Sequence, residues 1–126
     1  MRESRPENTM SCTDRKIDYL RRQIAPFDCV PGCHDCCGPV TASAEELSRL
    51  PRKSAAQHAA ALQAWNCVYL GPQGCEVYAQ RPLICRLFGS CASLPCPHGR
   101  RPLQFTAAEV EEQVHTLIAS TRQRLL

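Results

Sequence analysis

Cys29-Val-Pro-Gly-Cys33-His-Asp-Cys36-Cys37-Gly38 constrains this chain more than any other stretch. Four thiols fall within nine residues, in the spacing C-x3-C-x2-C-C. A loop this short cannot bury four thiols in an apolar core. A metal ion, an iron–sulfur cluster or disulfides must hold them. The Pro31-Gly32 and Gly38-Pro39 pairs permit tight reversals at little steric cost, as wrapping one centre requires. Adjacent side chains of an extended segment point to opposite sides. Cys36 and Cys37 therefore divide between two centres, or only one of them binds, and at least one further ligand is expected from elsewhere in the chain.

The compartment decides between metal and disulfide. The first thirty residues lack the apolar h-region and small-residue cleavage site of a signal peptide. No apolar run approaches the ~20 residues of a membrane span. The expectation is a cytoplasmic protein away from any membrane, where reducing conditions disfavour structural disulfides. Ten cysteines in 126 residues then point to metal binding. The length fits one domain, and with few aromatics (one Trp, three Tyr, three Phe) its thin core calls for a staple. The net charge of +3 is dispersed, without the concentrated basic patch of a nucleic-acid binder. A secreted disulfide knot is disfavoured by the missing leader.

Along the chain, residues 1–12 are polar and read as a disordered lead-in, with Cys12 outside any cluster spacing; residues 13–126 form the domain. A helix is expected from Thr13 to Ile24, capped by Thr13 or Asp14, with Ile17, Leu20 and Ile24 on one face. A second runs from Thr41 to Leu50, opened by a Ser43/Glu46 capping box and stopped by Pro51. The alanine-rich stretch from Ser54 to Trp65 is helical on propensity, with Leu62 and Trp65 as its packing edge. Cys67-Val-Tyr-Leu70 and Cys75-Glu-Val-Tyr78, separated by Gly71-Pro-Gln-Gly74, read as a small hairpin that carries Cys67 and Cys75 toward each other. Arg81-Pro82 turns the chain into Leu83–Phe88, and residues 89–98 are irregular. The last helix is expected from Thr106 to about Arg124, with a Thr106/Glu109 capping box and an apolar stripe of Val110, Val114, Leu117, Ile118 and Leu125. The fold class is mainly α with a short β-hairpin: a small single domain with irregular cysteine-rich loops stapled by metal.

Thiolate is a soft anionic ligand suited to zinc, copper(I) and iron–sulfur clusters. Cys67, Cys75, Cys85 and Cys91 supply four more thiols, so the 29–37 stretch is half of a shared constellation. Four thiolates on one divalent zinc leave a charge of −4 + 2 = −2, which Arg81 or Arg86 would offset. His34 and His98 are secondary ligand candidates. For Tyr78 and Pro82 core packing and a fixed turn suffice.

The joint pattern of the cysteine stretch, Cys67, and Cys75-Glu-Val-Tyr78-Ala-Gln-Arg81-Pro82-Leu-Ile-Cys85-Arg86-Leu-Phe88-Gly89 resembles the YkgJ-type cysteine-cluster family, the CxxCxxCC proteins described as zinc- or iron-chelating. The resemblance covers roughly residues 29 to 91. It implies a metal-chelating set of Cys29, Cys33, Cys36, Cys37, Cys67, Cys75, Cys85 and Cys91, with zinc or an iron–sulfur cluster as cofactor and no settled reaction. Cys96 and His98 fall beyond the match. Related domains occur alone or attached to methyl-transferring enzymes, so the alternative is a redox or methyl-transfer accessory enzyme using an iron–sulfur cluster, working with a protein partner. The C-x3-C-x2-C spacing is that of radical-SAM enzymes, but 126 residues are too few for their partial barrel.

Overall fold

The computed structural model describes residues 11–27 and 38–125. Cys29, Cys33, Cys36 and Cys37, with His34, the Pro31-Gly32 turn and the lead-in up to residue 10, lie outside the described residues. The fold is mainly α, with five helices and two short two-stranded antiparallel sheets among the described residues.

Helix α1 spans Cys12–Gln23. Its cap is Ser11 rather than Thr13 or Asp14: Ser11 is extended (φ −67°, ψ 162°) and its hydroxyl accepts the Asp14 amide. The expected inward face is correct, since Ile17, Leu20 and Ile24 are all buried. Residues 41–50 do not form one helix. Thr41–Ser43 is strand β1, and helix α2 is only Ala44–Leu47. The Ser43/Glu46 capping box is present in full, so the helix starts where that box dictates and Thr41 is left to pair as strand.

Helix α3, Ala55–Gln63, opens on a capping box of Ser54 with Gln57 and buries none of its residues. The expected packing edge is absent: Leu62 is 43% and Trp65 76% exposed. The helix ends in a Schellman motif. The Asn66 amide reaches the Ala61 carbonyl at 2.8 Å and the Trp65 amide the Leu62 carbonyl at 3.0 Å. Trp65 occupies the left-handed position of that motif (φ 58°), where glycine is usual.

The hairpin is smaller than the two Val/Tyr runs suggest. Strands β2 (Leu70–Gly71) and β3 (Gly74–Cys75) pair with Leu70 opposite Cys75. A 3-10 turn at Tyr78–Gln80 and the Arg81-Pro82 turn lead into helix α4, Leu83–Leu87. Helix α5 spans Ala108–Ser120, shorter than expected at both ends. Thr106 does not cap it. Its buried hydroxyl instead accepts the Ala25 amide at 2.9 Å and lies 3.3 Å from the Ser90 hydroxyl, tying the end of α1 to the segment after α4. Beyond α5 the chain turns into strand β4, Gln123–Leu125, antiparallel to β1. Leu125 is thus a strand residue and no part of the helical stripe.

Two apolar clusters result. The first joins α1, α4 and α5 through Ile17, Leu20, Ile24, Leu83, Leu87, Cys91, Val114 and Leu117. The second is Leu50, Val68, Tyr69 and Val77, with Cys67 and Cys75 packed at its edge. Glu46 links the two regions. One carboxylate oxygen accepts the Ser43 amide and hydroxyl; the other accepts the Leu83 amide at 2.7 Å, an orphan donor at the start of α4. Arg49 bridges Asp14 (3.0 Å) and Asp18 (2.7 Å), fixing the segment after α2 on α1.

Candidate metal centre

The two ends of the cysteine stretch are anchored at different places. Phe27, two residues before Cys29, packs on the segment after α4. A β-carbon added at Gly89, whose φ is +82°, would lie 2.5 Å from the Phe27 ring. The Phe27 carbonyl accepts the Tyr78 hydroxyl at 3.2 Å. Gly38, directly after Cys37, lies at the turn that closes α3: a β-carbon there would stand 4.0 Å from the Trp65 carbonyl. The stretch therefore departs beside the Tyr78–Gly89 region and returns two residues short of Cys67.

Cys67 and Cys75 lie near each other, though not across the expected strands: Cys75 pairs with Leu70, and Cys67 precedes β2. Both are half-buried at the edge of the second cluster. Burial pushes the Cys67 thiol up, and the neighbouring Cys75 adds to this. The Tyr69 amide, donating to Cys67 Sγ at 3.5 Å, works the other way and favours the thiolate. A sulfur that accepts an amide hydrogen bond two residues on is suited to carrying negative charge toward a metal. Cys96 has the same geometry, its Sγ accepting the His98 amide at 3.4 Å. Sequence spacing gave no reason to include Cys96; the Pro97 that follows it, favouring a turn, is the signal that was available.

Cys85 lies half-buried on α4. Its neighbour Arg86 belongs to a cluster of guanidiniums. Burial, then Arg21 and Arg81, hold the Arg86 pKa below its usual value, while Tyr78 and Cys85 oppose that shift. Cys91 is placed differently. It is fully buried in the first cluster, and its S–H donates to the Leu87 carbonyl at 3.2 Å. Burial pushes its pKa up, and the nearby Glu111 adds to this, while hydrogen bonds from Ser93 and Leu94 work the other way.

Among the described residues, no three His, Cys, Asp or Glu side chains stand close enough together to hold a metal ion. Cys67 and Cys75 are two neighbouring soft donors of the kind a thiophilic cation takes, and a four-coordinate site would need two more. No helix among the described residues is long and apolar enough to cross a membrane.

A helical scaffold with two neighbouring thiols at one edge, in a chain whose sequence holds four more within residues 29–37, is that of a metal-chelating cysteine-cluster domain. Residues 28–116 match the CxxCxxCC family, described as "Putative zinc- or iron-chelating domain", and the chain belongs to that family. No curated protein and no solved structure matches it.

Proposed function

We propose that the chain binds zinc or an iron–sulfur cluster through thiolates drawn from Cys29, Cys33, Cys36, Cys37, Cys67, Cys75, Cys85 and Cys91, as a cytoplasmic chelating module with no nucleic acid among its partners. The observation that carries this reading is the family match, which takes in every cysteine except Cys12. The Cys67–Cys75 pair supports it, as does the return of the chain at Gly38 beside the turn that leads to Cys67. Bound zinc would supply folding free energy; an iron–sulfur cluster would add one-electron chemistry. Cys91 is the outlier of the set, because its proton is committed to a backbone carbonyl inside the core.

Anaerobic purification followed by metal analysis and a visible spectrum tests the proposal. Stoichiometric zinc without colour, or iron with broad absorbance around ~400 nm, is the expected result. Protein with neither metal overturns it. Within the set, Cys67→Ser and Cys75→Ser should each lower metal content, whereas Cys91→Ser should leave it unchanged and reduce stability only.

A further inference from the structure

Four arginines converge where no ligand of the chelating set is required. Arg21 and Arg22, in the last turn of α1, face Arg81 and Arg86 across a cavity of about 410 Å³ walled by Ile24, Pro26, Phe27 and Tyr78. Among the described residues no carboxylate lines it. Three of the guanidiniums, those of Arg21, Arg81 and Arg86, are held by main-chain oxygens. Arg21 Nη2 donates to the Ala79 carbonyl at 3.1 Å, and Arg86 Nη2 donates to that same oxygen. Arg86 Nε donates to the Arg81 carbonyl at 3.1 Å. Arg81 Nε donates to the Tyr78 carbonyl at 2.9 Å, and its guanidinium stacks 3.8 Å from the centre of the Tyr78 ring.

Each guanidinium carries five N–H donors, and these bonds use one or two of them. The remaining donors are fixed in direction on a rigid turn. Like charges held together with no carboxylate among the described lining residues repel, and burial beside apolar walls strengthens that repulsion. Arginine forks match the oxygen spacing of tetrahedral oxyanions and bind them bidentately. Because the forks of Arg21, Arg81 and Arg86 are already held by the backbone, a ligand loses little of their side-chain freedom on binding.

From this arrangement we propose that the Arg21–Arg22–Arg81–Arg86 cavity is a binding site for a phosphate-class oxyanion, either free or as the phosphoryl end of a small organic molecule whose body lies against Phe27 and Tyr78. None of its four arginines is a proposed metal ligand, although Arg81 and Arg86 are also the guanidiniums placed to offset thiolate charge near Cys85.

The test is calorimetric titration of the full-length, metal-loaded chain with inorganic phosphate, sulfate and phenyl phosphate, at constant ionic strength set by chloride. Saturable binding of phosphate and sulfate is expected. Arg21→Gln and Arg81→Gln should each weaken it at least tenfold, Arg21→Lys should recover part of the loss, and Arg124→Gln, outside the cavity, should change nothing. Tighter binding of phenyl phosphate than of phosphate would assign the organic source; equal binding would assign the free ion. No saturable binding by the wild-type chain overturns the proposal, as does equal binding by Arg21→Gln and Arg81→Gln. Asp28 follows Phe27 in sequence, so Asp28→Asn is titrated alongside: binding seen only in that variant also overturns it. Metal content measured on the same samples separates this outcome from failure of the chelation reading.

Discussion

The two apolar clusters of this small domain are built on different principles. The first draws long aliphatic side chains from α1, α4 and α5, and buries eight residues with its one thiol protonated and hydrogen-bonded. The second buries four residues from loops and a minimal hairpin, and carries two thiols on its edge. Burial of a large aliphatic side chain is worth about 1.5–3 kcal/mol. Seven aliphatic contributors sustain a helical core; three and a tyrosine, drawn from segments with little regular hydrogen bonding, do not go far against the entropy of ordering those loops. Cys67 and Cys75, two of the thiols proposed for the metal, thus sit where the apolar core is thinnest.

Removing bound metal should break the comparison open. Structural zinc contributes on the order of 10 kcal/mol to folding. If that energy serves the second cluster, chelator treatment should strip hydrogen-exchange protection from the amides of Val68 to Val77, while those of Ile17, Leu20 and Val114 stay protected. Uniform loss across both clusters would mean that the first does not stand alone.

Leu87→Ala attacks the other side. Leu87 is fully buried, and such truncations cost about 2–5 kcal/mol. Urea unfolding should show the full loss with metal bound, and metal stoichiometry should be unchanged in the folded fraction. Glu46→Ala probes the link between the clusters. It removes the acceptor for the Leu83 amide and half of a capping box, an expected cost of about 1–3 kcal/mol. That substitution should also loosen α4, which is read as increased exchange at the Arg86 and Leu87 amides.

The smallest effect concerns Asp14. Burial alone would raise its pKa, but hydrogen bonds from Arg49 and Ser11 outweigh this and hold it below the ordinary value of 3.8. A carboxylate whose folded pKa is depressed contributes stability above its unfolded pKa and loses it as pH falls through the folded value. Asp14→Asn should therefore cost about 0.5 kcal/mol at pH 7, scaled to a partly exposed pair, and almost nothing near pH 2. Urea midpoints at the two values check the sign.

Much of the helical scaffold was legible because its signals are local. Ser43 with Glu46 and Arg81-Pro82 each act within a few residues, and each marks a boundary the structure keeps, whereas the helix expected to run up to Pro51 ends at Leu47. The spacing of Ile17, Leu20 and Ile24 gave the buried face of α1 for the same reason. What stayed hidden depends on distant partners. Thr106 followed by Glu109 looks like a capping box, but the hydroxyl is taken by Ala25, 81 positions away. Gln123-Arg124-Leu125 has no alternation of its own and becomes strand only because β1 offers an edge. Trp65 was assigned to packing by its chemistry, whereas the Schellman turn points it outward. Cys91 illustrates the limit for the site: the same residue type serves as soft ligand and as small core hydrophobe, and spacing does not separate the two.

The pairing of β1 with β4 has a consequence for the order of assembly. Thr41 leaves the ribosome early, yet its side-chain partner Gln123 lies 82 positions later. During synthesis, at roughly 5–20 residues per second, the strand that follows the cysteine stretch stays without its mate for several seconds. Metal capture by the nascent chain in that interval would take place on a molecule whose seam is still open, to be closed once Gln123–Leu125 has emerged.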